Sequence, residues 1–133
     1  MPPLRKGSLL LAPKQALSLA KGHTVESQVA LYLAAQGLIL LHRNFRCKQG
    51  EVDLIAETSN QLVFIEVRFR QNTNYGSAQE SITRSKQRKI IQSARFFLCR
   101  YPAYANHACR FDVVGVTLKG QQLDFDWIQH AFY

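Results

Sequence analysis

Two short apolar runs constrain this chain more than anything else in it. Gly50-Glu51-Val52-Asp53-Leu54-Ile55-Ala56 is followed closely by Leu62-Val63-Phe64-Ile65-Glu66-Val67-Arg68. Both are rich in β-branched residues, so both read as strands of a sheet covered on its two faces. The short polar stretch Thr58-Ser59-Asn60-Gln61 between them suits a hairpin. A loop with an even number of residues, either Ser59-Asn60 or all four, sets Asp53 opposite Glu66 and Glu51 opposite Arg68. Side-chain alternation then sends all four from one face. Like charges directly opposite each other destabilise a strand pair, and burial makes two carboxylates costlier still. A divalent cation held between them removes the conflict. An odd loop would break this pairing.

The rest of the chain supplies elements around that hairpin. Residues 1–21 carry Pro2, Pro3 and Pro13 without a steady period and read as a flexible tail, with a short helical patch at Gln15–Ala20. A helix is expected over Val25–Gln36, capped by Thr24, buried through Val25, Val29 and Leu33, and closed by Gly37 in a left-handed conformation. Leu38–Phe45 reads as a strand, and the polar stretch from Phe69 to Ser77 as a loop placed to touch substrate. Thr83 caps a long helix over Arg84–Arg100, with Ile90, Ile91, Ala94, Phe97 and Leu98 as its buried stripe and Pro102 just beyond its end. Cys109–Leu118 and Leu123–Ile128 close the list. The second alternates Leu123, Phe125 and Trp127 with Asp124 and Asp126, as a half-buried edge strand does. The order α-β-β-β-α-β-β matches an α/β (α+β) fold, a mixed sheet flanked by helices, in a single domain over 22–133.

Composition narrows the partners. With 133 residues and 47% hydrophobic content, the chain can fill one core. Its 17 Lys and Arg against 9 Asp and Glu leave a net charge of +8, which favours a polyanion, nucleic acid before a membrane surface. No apolar run approaches the roughly 20 residues that span a bilayer, and Pro13 and Lys14 cut short the signal-like run Leu9–Ala12. The odd cysteine set Cys47, Cys99 and Cys109 has no CxxC spacing. It reads as reduced thiols packed in or near the core of a cytoplasmic protein.

An acidic residue on one strand followed by Glu-x-Lys on the next resembles the PD-(D/E)xK nucleases of restriction-endonuclease-like fold. Closer still, Gly50–Ala56, Val63–Arg68 and Arg110-Phe111-Asp112-Val113-Val114 resemble the bacterial YraN family, small proteins with a predicted nuclease-like core. The resemblance runs from about Gly22 to the C-terminus. It implies the restriction-endonuclease-like arrangement of the sheet and a metal-dependent nuclease acting on DNA or RNA.

Hydrolysis of a phosphodiester needs charge stabilisation, an activated water and help for the leaving group, all of which Mg²⁺ or Mn²⁺ can supply. Asp53 and Glu66 are the expected ligands, and the family geometry adds the main-chain carbonyl of Val67. The competing structural role for Asp53 is an ion pair with Arg46 or Arg68. Arg68 stands where the superfamily has a catalytic Lys. Guanidinium can orient a water or neutralise a phosphoryl oxygen but does not give up its proton. Base work then falls to Glu51, to a water on the cation, or to a substrate phosphate, unless Glu51 and Arg68 merely staple the hairpin. The resemblance also puts Glu26 near the metal cluster, although a Glu in a first turn is favoured by the helix dipole alone. Asp112, inside an apolar strand, is expected to pair with a neighbouring Arg.

Arg84, Lys86, Arg88 and Lys89 crowd the start of the long helix, where cations oppose the dipole. A phosphate held by free backbone N–H groups would explain them, with Tyr75 stacking on an unpaired base. A solvated basic face is the plainer account. Two other functions fit the same residues: a non-catalytic nucleic-acid-binding module, and a protein-interaction module for an acidic partner. Divalent-metal binding separates the nuclease from both, and salt-dependent nucleic-acid binding separates those two. A homodimer is compatible with the sequence.

Overall fold

The computed structural model describes residues 5–20, 25–70 and 78–133, apart from the side chains of residues 17–20 and 80. In chain order the elements are β1 (Lys6–Leu10), α1 (Pro13–Ala20), α2 (Val25–Ala35), β2 (Ile39–Cys47), β3 (Gly50–Glu57), β4 (Gln61–Arg70), α3 (Arg84–Arg100), β5 (Ala108–Lys119) and β6 (Gln122–Phe132). The strands form one six-stranded sheet in the order β1-β6-β5-β4-β3-β2. Only β4 and β5 run parallel, which is why the chain crosses between them through α3. All the expected elements from α2 onward are present in the expected order.

Each face of the sheet buries its own apolar layer. On one face Val29 and Leu33 of α2 pack over Leu54, Ile65, Val114 and Trp127. On the other, Ile90, Ala94 and Phe97 of α3 pack over Ile55, Phe64 and Phe111. The helices end as their sequences require. Gly37 takes φ +99° after α2, where a side chain would be strained. Thr83 Oγ1 accepts from the Lys86 N–H at 3.1 Å to cap α3. The Thr24 cap falls outside the described residues.

The N-terminus departs from expectation. Lys6–Leu10 is no tail but a strand paired antiparallel with β6, with Gly7 opposite Phe125. Its side chains are mostly exposed, so it carries no alternation to read. What holds it is main-chain pairing, an ion pair from Arg5 to Asp126 at 2.6 Å and a bond from Ser8 Oγ to Asp124 at 2.8 Å. A Cβ at Gly7 would come within 2.7 Å of the Tyr32 ring, which stacks on Phe125 at 4.5 Å. Glycine there lets β1 close over that stack. The strand β6 is therefore internal rather than an edge, although its alternation of buried Leu123, Phe125 and Trp127 holds. Cys99 is exposed, whereas Cys47 and Cys109 are half-buried against the α3 layer.

Asp112 is wholly buried, and four donors satisfy it. Arg110 reaches both its oxygens at 2.9 Å, the Trp127 indole N–H donates at 2.8 Å and the His130 N–H at 3.2 Å. Arg110 also donates to Gln61 at 2.9 Å, so one network ties β4, β5 and β6. Removing one partner strands a buried charge. Asp112→Ala should cost about 3–5 kcal/mol in urea or thermal unfolding; a change under roughly 1 kcal/mol would mean that the network is solvated.

Candidate functional site

The hairpin has an even loop. Glu57 pairs with Leu62, Ala56 with Val63, Ile55 with Phe64 and Leu54 with Ile65, and there the ladder stops. Beyond that point β3 stays with β2 as far as Gly50, while β4 stays with β5 along its whole length. The sheet thus parts between β3 and β4, and Asp53 sits in the opening. Its Oδ2 accepts from the Val67 N–H at 2.8 Å, taking the place of the missing strand partner.

Glu66 and Asp53 meet in this gap, 4% and 8% exposed. Burial first, and then the Asp53 charge, push the Glu66 carboxyl up to about 7. Asp53 is also raised, chiefly by burial, against the pull of the Val67 bond. Two cations face Glu66 Oε1: Lys86 Nζ at 3.6 Å and Arg68 at 3.9 Å. A proton held on the pair bonds Glu66 to Asp53; with both acids ionised, Glu66 Oε2 and Arg68 Nε are buried and have no hydrogen-bond partner among the described residues. An unmet acceptor and an unmet donor at one site suit a ligand that brings both signs of charge.

Glu26 enters from α2. Burial, Asp53 and Glu51 raise its carboxyl, while a bond with Asn44 lowers it. It lines a cleft of about 450 Å³ with Ser27, Arg43, Asn44, Val67 and Phe69. Glu51 does not pair with Arg68: its ion pair is with Arg46, directly opposite on β2. The reason is the parting of the strands, which removes β4 from its reach. Arg84, Arg88 and Lys89 lie exposed on α3, Lys89 close beside Gly50, whereas Lys86 turns in toward Glu66. Tyr75 is outside the described residues.

Sequence reasoning missed Arg43, Asn44 and the inward role of Lys86. Asn44 is a strand-interior Asn, a depleted type, and takes φ +51°, which Asn tolerates better than most. Lys86 occupies the position one turn before Ile90 on the buried stripe of α3, where an apolar residue belongs.

Among the described residues no three His, Cys, Asp or Glu side chains gather closely enough to hold a metal ion. Mg²⁺ and Mn²⁺ need fewer, since one or two carboxylates plus water and substrate oxygens suffice for Mg²⁺. The unmet Glu66 oxygen beside Asp53 fits such a donor set.

A parted β-hairpin with paired buried carboxylates, set in a mixed sheet between helices, defines an α+β protein of restriction-endonuclease-like fold. The chain belongs to the uncharacterised protein family UPF0102, the YraN family, whose description matches residues 25–116. A UPF0102 protein of Alcanivorax borkumensis is 45% identical over 113 residues, covering 84% of this chain and 90% of its own. One from Stutzerimonas stutzeri is 43% identical over 115 residues, covering 86% and 96%. One from Saccharophagus degradans is 48% identical over 111 residues, covering 84% and 91%. No described helix is long and apolar enough to cross a membrane.

The raised Glu66 carboxyl sets a pH dependence. Between its ordinary 4.5 and about 7 the folded chain holds a proton that the unfolded chain has released. Stability of the metal-free protein therefore falls as pH rises through that window. Unfolding measured with chelator from pH 5 to 8 should show the decline, and Glu66→Gln should flatten it. An equal slope in both proteins would mean that Glu66 is ionised throughout.

Proposed function

We propose that this protein is a metal-dependent nuclease, or a protein derived from one, acting on the phosphodiester bonds of DNA or RNA. The observation that carries the reading is the pair of unmet groups in the strand opening, Glu66 Oε2 and Arg68 Nε. A divalent cation satisfies the first and a phosphoryl oxygen the second. Asp53, Glu66 and the Val67 carbonyl would hold Mg²⁺ or Mn²⁺, which when bound acidifies a water and neutralises charge on the phosphoryl group.

The chain's own residues divide the remaining work. Asp53 is fixed by the Val67 N–H, so its second oxygen is presented in one direction. Arg68 donates to the phosphoryl oxygen but keeps its proton. Glu51, half-exposed, is available to take a proton from an attacking water once substrate competes for Arg46. Glu26 adds negative charge from α2 and favours cation binding. Arg84, Arg88 and Lys89 face outward along α3 and suit the flanking phosphates.

A second reading is a non-catalytic nucleic-acid-binding module, favoured by Arg68 where a proton-accepting Lys would be expected. A panel of labelled nucleic acids with Mn²⁺ distinguishes the two. Wild type should bind in a salt-dependent manner and cut at least one substrate. Asp53→Asn should bind comparably and lose cleavage on the order of 100-fold or more. If wild type and Arg68→Lys both bind but neither cuts any member, the binding module stands.

A further inference from the structure

The position of Lys86 says more than that α3 is basic. Lys86, Ile90, Ala94 and Phe97 recur at helical spacing, and the last three are buried on the sheet. Lys86 is thus the first member of an inward stripe. Its backbone is held in the first turn by the Thr83 cap, and its ammonium lies 3.6 Å from Glu66 Oε1. A cation in a first turn gains nothing from the helix dipole. Its favourable partner is the carboxylate pair.

The two cations on that oxygen differ in their freedom. Arg68 is two residues from Glu66 on the same strand, so it stays wherever Glu66 stays. Lys86 comes from a separate element on a flexible stem, and its side chain is 39% exposed. If a divalent cation enters between Asp53 and Glu66, two ammonium-like charges and a dication compete for the same oxygens. Lys86 is the one able to leave.

We propose that Lys86 is the resident counter-cation of the Asp53–Glu66 pair, and that binding of a divalent ion turns its ammonium outward onto the substrate phosphate. The inference rests on the metal-site reading above. It gives one side chain two places. With no divalent ion bound, Lys86 neutralises the carboxylates and keeps the opened strands together. With the ion bound, the displaced ammonium adds a positive charge where the phosphate arrives, alongside Arg68. Metal binding and substrate binding are then coupled through one lysine, and a metal-free site presents less free positive charge to nucleic acid.

Competition makes a test that needs no turnover. Mn²⁺ affinity is measured by calorimetry on the full chain at pH 7.5, for wild type, Lys86→Ala, Lys86→Met, Lys86→Arg and the exposed control Arg95→Ala. Lys86→Ala and Lys86→Met should bind Mn²⁺ more tightly than wild type, on the order of tenfold, because the competing charge is gone. Lys86→Met retains the apolar stem and keeps the test usable if the alanine variant folds poorly. Lys86→Arg should lie near wild type, and Arg95→Ala should not differ from it. With Mn²⁺ bound, Lys86→Met should also hold a nucleic acid more weakly than wild type. Wild type that binds Mn²⁺ while Lys86→Met binds it no more tightly overturns the counter-cation role alone. Wild type that binds no Mn²⁺ overturns the metal site and this inference together.

Discussion

The bond from the Val67 N–H to Asp53 Oδ2 is the contact on which the arrangement of this protein depends. Two strands that continued their ladder would satisfy each other's main chain and leave no room between them. Here the ladder ends at Leu54 and Ile65, and a side-chain carboxylate satisfies the N–H that the missing partner would have taken. A buried N–H without an acceptor costs free energy comparable to a lost hydrogen bond. Asp53 therefore allows the sheet to part; Lys86 reaches Glu66 there from α3, while the charge of Glu26 on α2 acts on Asp53.

The same economy explains the electrostatics. Away from the opening, the buried Asp112 is fully satisfied by Arg110, Trp127 and His130, and it is structural. Within the opening, burial and the Asp53 charge hold a proton on Glu66 to about 7, shared in a bond with Asp53, and once that proton leaves one Glu66 oxygen has no donor among the described residues. The contrast between two buried acids, one saturated and one not, sets the structural network apart from the candidate site. The basic outer face of α3 then extends the positive field beyond the cavity.

Much of this was legible in the chain itself. The register was legible on condition of an even loop, which the hairpin has: Leu54 faces Ile65, although the ladder ends before Asp53 and Glu66. The helices α2 and α3 followed from apolar spacing and from their caps. The strand β1 was not legible, because a short, exposed strand held by main-chain bonds leaves no periodic trace in its side chains. Nor was the parting of β3 and β4, which reassigned Glu51 from Arg68 to Arg46. Lys86 was read as part of a basic surface, although its place on the apolar stripe of α3 already set it apart from Arg84 and Arg88.

The central claim is that the opening beside Asp53 and Glu66 is built for a divalent cation. Anomalous diffraction from crystals grown with Mn²⁺, recorded at the manganese edge, tests it most directly. One strong peak is expected between the Asp53 and Glu66 carboxylates, within about 2.0–2.4 Å of their oxygens, and no peak there in Asp53→Asn crystals. Manganese bound only elsewhere, or none bound by a chain that keeps this hairpin intact, would contradict it.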